Sequence, residues 1–322
     1  MDKPFLTYDE QIKHLVEDKK IKCDGPSSKI ILCRNGYFNL INGYKMPFVC
    51  NYDKSTLKHS YYPGTTIEQI AMVKEFDDTL RMHLLKYITK AEEEVRTIVG
   101  YRFDDINFGK ALWNDKSFYS RSLTDEKSVE EMISSATEEI DRSELDYITF
   151  YKGNHKYIPT WIFVKVINFS TFINFLDCCD DNLKDSMCQL YGMYDKDGNP
   201  YHKLLIGSLH WLRKVRNSCA HNERIYTISR ENGRIKETYI MNMKKAYQRD
   251  RTQKLFDLLV YMKYYLDPES YAIFIKDIKE ILISMEKMLS SNVFANIRAA
   301  TGIKDVIDLD SLLLSPNRKQ YI

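Results

Sequence analysis

The chain has 322 residues, with 47 Lys and Arg against 45 Asp and Glu and a formal net charge of +2. That length supports a well-buried core, as one large domain or two ordinary ones. The 12 Gly and 8 Pro are too few for a turn-rich all-β fold or a low-complexity chain, and near-neutrality excludes a uniformly basic coat while leaving room for a local basic site.

In chain order, Thr7 and Glu10 form a capping box ahead of Ile12, Leu15 and Val16, which predicts a helix from near Tyr8. The start Met1-Asp2-Lys3-Pro4 has no apolar leader, and no apolar run approaches the ~20 residues of a membrane helix. A cytoplasmic protein away from the membrane is therefore expected. Residues 21–62 show no clear period. Their aromatic rings (Tyr37, Phe38, Tyr44, Phe48 and Tyr52) either pack the N-terminal region, the simpler expectation, or stack bases. A second capping box, Thr66 and Gln69, opens a long amphipathic helix through Ile67, Ile70, Val73, Phe76, Leu80, Leu84, Ile88, Ala91, Val95 and Ile98.

Residues 124–146 carry nine Asp and Glu against Lys127 and Arg142, which reads as a solvated helix face. Pro159 suits the first turn of a helix running through Trp161, Val164, Ile167 and Phe172. Asp195 to Pro200 reads as a turn, with a helix from about His202. Between Ile225 and Ile240 the period changes around Asn232-Gly233, a hairpin signal. Asp267 and Pro268 open a further helix through Ile275, Ile278, Leu282 and Met285. The expected architecture is all-α, a helical bundle with one small β-hairpin.

The seven cysteines are odd in number and show no CxxC pair, so buried reduced thiols are expected rather than a disulfide framework or a zinc site. No Gly-rich phosphate loop and no HExxH occurs. No cofactor and no metal is expected.

The window from His202 to Arg224 is different. It holds Lys203, Arg213, Lys214, Arg216 and Arg224 against Glu223 alone, with three of the seven His. On an ideal helix Leu205, Leu209, Leu212 and Cys219 mark an apolar face, and His210, Lys214, Asn217, His221 and Arg224 a polar stripe. Arg216 and His221 stand about 140° apart and about 7.5 Å along the axis, a poor bipartite site on one helix and a better one between two copies. By itself, a structural role for His221 is the simpler expectation and a catalytic one the alternative. Lys244, Lys245, Arg249 and Arg251 form a second basic run, either an RNA contact or a solvated face.

RNSCAHNER at 216–224 resembles the signature of the Abi (abortive infection) family of the AbiD/AbiF kind, whose core is a HEPN domain with an R-x4–6-H ribonuclease motif. KPFLTYDEQIKHL resembles the family's opening block and LCRNGYFNLINGYKMPF its Tyr-rich block. FDDTLRMHLLKYITKAEEEVRTIVGY resembles its long core helix, with Arg81, Glu92 and Arg96 at matching places. PTWIFVKVINFS resembles a further helix, with Lys165 where an acid is common and Ser170 where glycine is common. The resemblance covers most of the chain.

The resemblance implies a HEPN-like core at 63–265, an N-terminal region at 1–62 packed on it, and a C-terminal helical extension at 266–322. It implies a homodimeric, metal-independent endoribonuclease acting in antiphage defence. The RNA 2′-hydroxyl attacks the adjacent phosphorus, leaving a 2′,3′-cyclic phosphate. His221 moves protons, Arg216 stabilises phosphoryl charge and Asn217 orients them. Arg213, Lys214, Arg224 and the run at 244–251 hold RNA, and Glu92 with Arg96 supports the site or makes a simple helix ion pair. The alternatives are an RNA-binding module controlled by a small non-coding RNA antitoxin, and a purely structural interaction protein.

Overall fold

The structure, a computed structural model, describes residues 4–56, 58–109, 112–119, 123–195, 197–230 and 252–314. It is an all-α fold with a two-stranded hairpin. Helix α1 (Tyr8–Glu17) begins at the predicted capping box, where the Thr7 hydroxyl accepts from the Glu10 amide and the Glu10 carboxylate accepts from the Thr7 amide. Helix α2 (Gly25–Asn35) ends at Gly36, whose φ of +70° favours a residue without Cβ. A π-helical turn (Phe38–Asn42) buries Leu40 and Ile41. An antiparallel hairpin follows, β1 (Val49–Asp53) paired with β2 (Lys58–Tyr61). It lies within the stretch whose period is unreadable from sequence.

Helix α3 (Ile67–Ile106) is the axis of the bundle. Its 40 residues span roughly 60 Å at 1.5 Å per residue, and Thr66 with Gln69 caps it as predicted. Around it run α4 (Leu123–Arg142), α5 (Asp146–Asn154), α6 (Thr160–Val166), α7 (Phe169–Cys178), α8 (Asp181–Tyr191) and α9 (His202–Ala220). The chain then forms α10 (Leu255–Tyr265), α11 (Pro268–Met288), α12 (Ser291–Thr301) and α13 (Asp308–Leu314). Helices α2, α6, α8, α9, α10 and α11 all pack against α3. Every residue of α10 is buried, as befits a helix that is apolar nearly all round. At the α3–α6 crossing Gly100 lets the backbones close in, since a Cβ there would stand 3.0 Å from Val164 Cγ2.

Helix α4 behaves as an amphipathic surface helix. Val129, Met132, Ala136 and Ile140 face the core, and Glu130, Glu131, Glu138 and Asp141 face solvent. Glu139 turns inward and accepts from the Asn168 amide at 2.6 Å and the Thr171 hydroxyl at 2.6 Å.

The helix expected from Pro159 to Phe172 is two helices. Pro159 is the N-cap of α6 rather than part of its first turn, and Ile167 is extended at ψ 146°. Two interactions cause the break. Asn168 caps α7, its side chain accepting from the Thr171 amide at 3.0 Å. The Arg96 guanidinium from α3 donates to the carbonyls of Val164 at 2.6 Å and Ile167 at 2.9 Å, so the end of α6 needs no continuing helix. Lys165 sits 5.4 Å over the Tyr147 ring.

At the Asp195–Pro200 turn the Asp195 carboxylate accepts the amides of Asp197 and Asn199. Asp267 caps α11 ahead of Pro268, and Ile275, Ile278, Leu282 and Met285 are buried. The segment Ile225–Arg230, read as extended from its period, turns at Tyr226 and Thr227, where the Ile228 amide donates to the Ile225 carbonyl at 2.8 Å, and joins the rest through a bridge from Arg230 to Gln253. Asn232 and Gly233 lie outside the described residues. Among the described residues no helix is long and apolar enough to cross a membrane.

Candidate functional site

Helix α9 buries Leu204, Leu205, Leu209, Leu212, Val215 and Cys219, the face predicted from spacing, against α3, α7 and α8. It ends at Ala220. The His221 amide donates to the Asn217 carbonyl at 2.9 Å, and the Glu223 amide returns to the Ser218 carbonyl at 2.9 Å. Asn222 takes a left-handed φ of +55° to make that return, a conformation asparagine tolerates better than most residues. Arg224, expected to continue the polar stripe of the helix, therefore lies beyond its end.

The segment after α9 is held by a buried polar hub on α3. Asp77, 2% exposed, accepts from the Tyr226 amide at 2.7 Å, the Ile225 amide at 3.1 Å and the Tyr44 hydroxyl at 2.9 Å. Arg81 donates to Asp77 at 3.1 Å and to the Glu223 carbonyl at 3.1 Å. Burial pushes the Asp77 carboxyl above its ordinary range, and the donors around it offset this only in part. Burial and the neighbouring Asp77 charge also push the Tyr44 hydroxyl up, so it remains a donor. A carboxylate with four donors is well satisfied inside a protein, and here it fixes where His221 and Arg224 emerge.

His221 and Arg224 line a cleft of about 960 Å³ between α2, the π-helical turn, α3 and the end of α9. Its cations are Arg34, Lys74, Arg81 and Arg224, and its acids are Asp78 and Glu223, a balance of 4 − 2 = +2 before His221 is counted. Lys74 pairs with Asp78 at 2.8 Å. Arg224 donates to Thr227 Oγ1 at 2.8 Å and to the Gly43 carbonyl, closing the cleft against the π-helical turn. The His221 side chain is exposed and, among the described residues, makes no hydrogen bond or ion pair. Cys219 also lines the cleft, but burial pushes its thiol up to about 12, which removes it as a nucleophile at neutral pH. Among the described residues no three His, Cys, Asp or Glu group so as to hold a metal ion.

Arg216 is placed elsewhere. Its Nε lies 3.5 Å from Glu92 Oε2, and Glu92 Oε1 accepts from Arg96 at 2.7 and 3.0 Å. Arg216 also donates to Asn217 Oδ1 at 3.1 Å. Glu92 thus pairs with both Arg216 and Arg96, in an ion-pair cluster on the α3–α6 side. Neither Arg216 nor Asn217 lines the cleft with His221. Lys214 donates to the Ser229 carbonyl at 2.9 Å. Arg213 lies beside His210, where burial and the charges of Arg213 and Arg230 hold the imidazole below its ordinary value. Lys244, Lys245, Arg249 and Arg251 lie outside the described residues. Of the aromatic block, Tyr44 and Phe48 are buried, while Phe38 on the cleft and Tyr52 on the hairpin are exposed.

Sequence reasoning missed Arg34, Lys74 and Asp77. A signal for Asp77 existed. It falls with Arg81 at i, i+4 among the apolar positions Val73, Leu80 and Leu84 of α3, where a charged pair must be buried.

The family model described as Abi-like protein matches residues 30–227, from within α2 to the segment that Asp77 holds. No curated protein and no solved structure gives a significant match. The matched span is well over half of the chain and contains both walls of the cleft, and on that ground the chain belongs to the Abi-like protein family.

Proposed function

We propose that this chain is a metal-independent endoribonuclease of the HEPN kind acting in abortive-infection defence, the role that membership of the Abi-like family suggests. The observation that carries the proposal is His221, exposed and without a partner among the described residues, in one cleft with four cations. Imidazole is the side chain suited to moving protons near neutral pH. In the reaction His221 takes the proton of a ribose 2′-hydroxyl, the 2′-oxygen bonds to the adjacent phosphorus, and the 5′-oxygen leaves with a proton. The products are a 2′,3′-cyclic phosphate and a 5′-hydroxyl. Arg224, whose partners are a hydroxyl and a carbonyl, supplies positive charge where the phosphoryl oxygens gain negative charge.

Among the described residues the other acids of the cleft are engaged, Asp78 by Lys74 and Glu223 by the Ser218 hydroxyl, so one copy offers His221 no free second proton-transfer group, and its Arg216 faces another side of α9. A homodimer that apposes the ends of two α9 helices supplies both, with the His221 of a second copy protonating the leaving oxygen. The test is cleavage of a single-stranded RNA in EDTA by the wild type, His221→Ala and Arg216→Ala. Loss of cyclic-phosphate product in both variants is expected, and undiminished cleavage by His221→Ala overturns the assignment.

A second reading is favoured by the Arg216–Glu92 pair, which holds that guanidinium away from any phosphate in the cleft. In that reading the protein binds RNA, including a controlling small RNA, without cutting it. Tight RNA binding with no cyclic-phosphate product distinguishes it.

A further inference from the structure

We propose that the cleft binds a single-stranded RNA segment with one base stacked on Phe38 and its phosphate held by Arg34. The proposal rests on the reading of the cleft as an RNA site and adds its recognition residues, which line the same cleft as His221.

Phe38 is 75% exposed, whereas Leu40, Ile41 and Tyr44 from the same stretch of chain are 0%, 0% and 4% exposed. The turn therefore packs its other apolar side chains and presents this one ring into the cleft. The π-helical form of the turn and the positive φ of Gly36 before it aim the ring, and such local widenings of a helix are frequent at functional sites. A base offers the face such a ring would cover, and base–aromatic stacking tolerates any sequence.

Arg34 is the counterpart for the phosphate. It sits in the last turn of α2, four residues before Phe38, is exposed, and has no partner among the described residues. The other cations of the cleft are engaged. Lys74 is on Asp78, Arg81 on Asp77 and the Glu223 carbonyl, and Arg224 on Thr227 and the Gly43 carbonyl. Arg34 is thus free to take two oxygens of a phosphate in parallel. The strand must be single. A duplex buries its base faces in the stack and leaves no ring for Phe38, whereas an unpaired base swings out. A volume of about 960 Å³ is at the upper end of the ~300–1,000 Å³ common for ligand pockets.

The experiment is fluorescence anisotropy of the full chain with a labelled, fully 2′-O-methylated single-stranded oligonucleotide, which cannot be cleaved by 2′-hydroxyl attack, and with its blunt duplex. Phe38→Ala should weaken single-strand binding about tenfold, and Phe38→Tyr should restore it. Arg34→Ala should weaken binding and lower the slope of log affinity against log salt by about one. The proposal is overturned if Phe38→Ala and Arg34→Ala bind like the wild type, if the duplex binds as tightly as the single strand, or if the wild type does not bind. Both side chains are exposed, and matched circular-dichroism melts show that the variants fold. Failure of the nuclease reading is separable, because RNA cleavage by His221→Ala tests it in an unmethylated strand without touching this result.

Discussion

Replacing Asp77 perturbs the element on which the site depends. In Asp77→Ala the buried Arg81 loses one of its two carboxylates, and the amides of Ile225 and Tyr226 and the Tyr44 hydroxyl lose their acceptor. Removing one member of a buried ion pair costs about 3–5 kcal/mol. A stranded buried donor costs about 1–3 kcal/mol where water cannot reach it. These costs overlap, and Arg81 keeps Asp78 and the Glu223 carbonyl, so a net loss of about 4 kcal/mol is expected. Against the ~5–15 kcal/mol typical of folded proteins that loss is severe. Asp77→Asn keeps one acceptor oxygen but turns an amide N–H2 toward existing donors, and should lose about 2 kcal/mol. The assay is equilibrium urea unfolding together with native-state hydrogen exchange at the Ile225 and Tyr226 amides. Those two amides should lose protection before the amides of α11 do. A change below about 1 kcal/mol for Asp77→Ala, with both amides still protected, would refute the hub.

Glu92→Gln should destabilise by about 3 kcal/mol, measured by denaturant midpoint, because Arg96 is buried and donates two hydrogen bonds to that carboxylate; a neutral outcome would mean the Val164 and Ile167 carbonyls hold Arg96 alone. Gly100→Ala gains about 1 kcal/mol of helix propensity but presses a methyl 3.0 Å from Val164 Cγ2, an overpacking worth about 1–3 kcal/mol. A lower melting temperature is expected, and a higher one would show that Val164 moves aside at no cost. At His210, burial and the nearby Arg213 and Arg230 charges lower the folded-state value, so the unfolded chain binds that proton more readily. Stability should then rise with pH through the ordinary histidine range and fall on acidification. The difference in unfolding free energy between about pH 5 and pH 7.5 should shrink in His210→Gln, and an unchanged difference would show that His210 does not contribute.

Signals that act over three or four residues were legible in the sequence. The capping boxes at Thr7 and Thr66, the Asp267 cap with Pro268, and the apolar stripes of α3 and α9 depend only on neighbours along the chain. The break between α6 and α7 was not legible, because Arg96, which takes the Ile167 carbonyl, stands 71 residues away. The hairpin at 49–61 was hidden because its strands are mostly exposed and lack an alternating pattern. At the site, the basic window around His221 and the angular offset of Arg216 were both visible. The recognition residues were not, since Arg34 and Phe38 reach the cleft only when the stretch after α2 folds back on α3. The helix end at Ala220 moved Arg224 off the expected stripe and toward Gly43.

The most direct test of the account is the chemistry of the cut ends. A 5′-labelled single-stranded RNA is incubated with purified wild type and His221→Ala in EDTA, and the fragments are resolved before and after mild acid, which opens a cyclic phosphate. The account predicts fragments from the wild type that end in a 2′,3′-cyclic phosphate, and their loss in His221→Ala. Equal fragments from both proteins, or 3′-hydroxyl ends from the wild type, would contradict it.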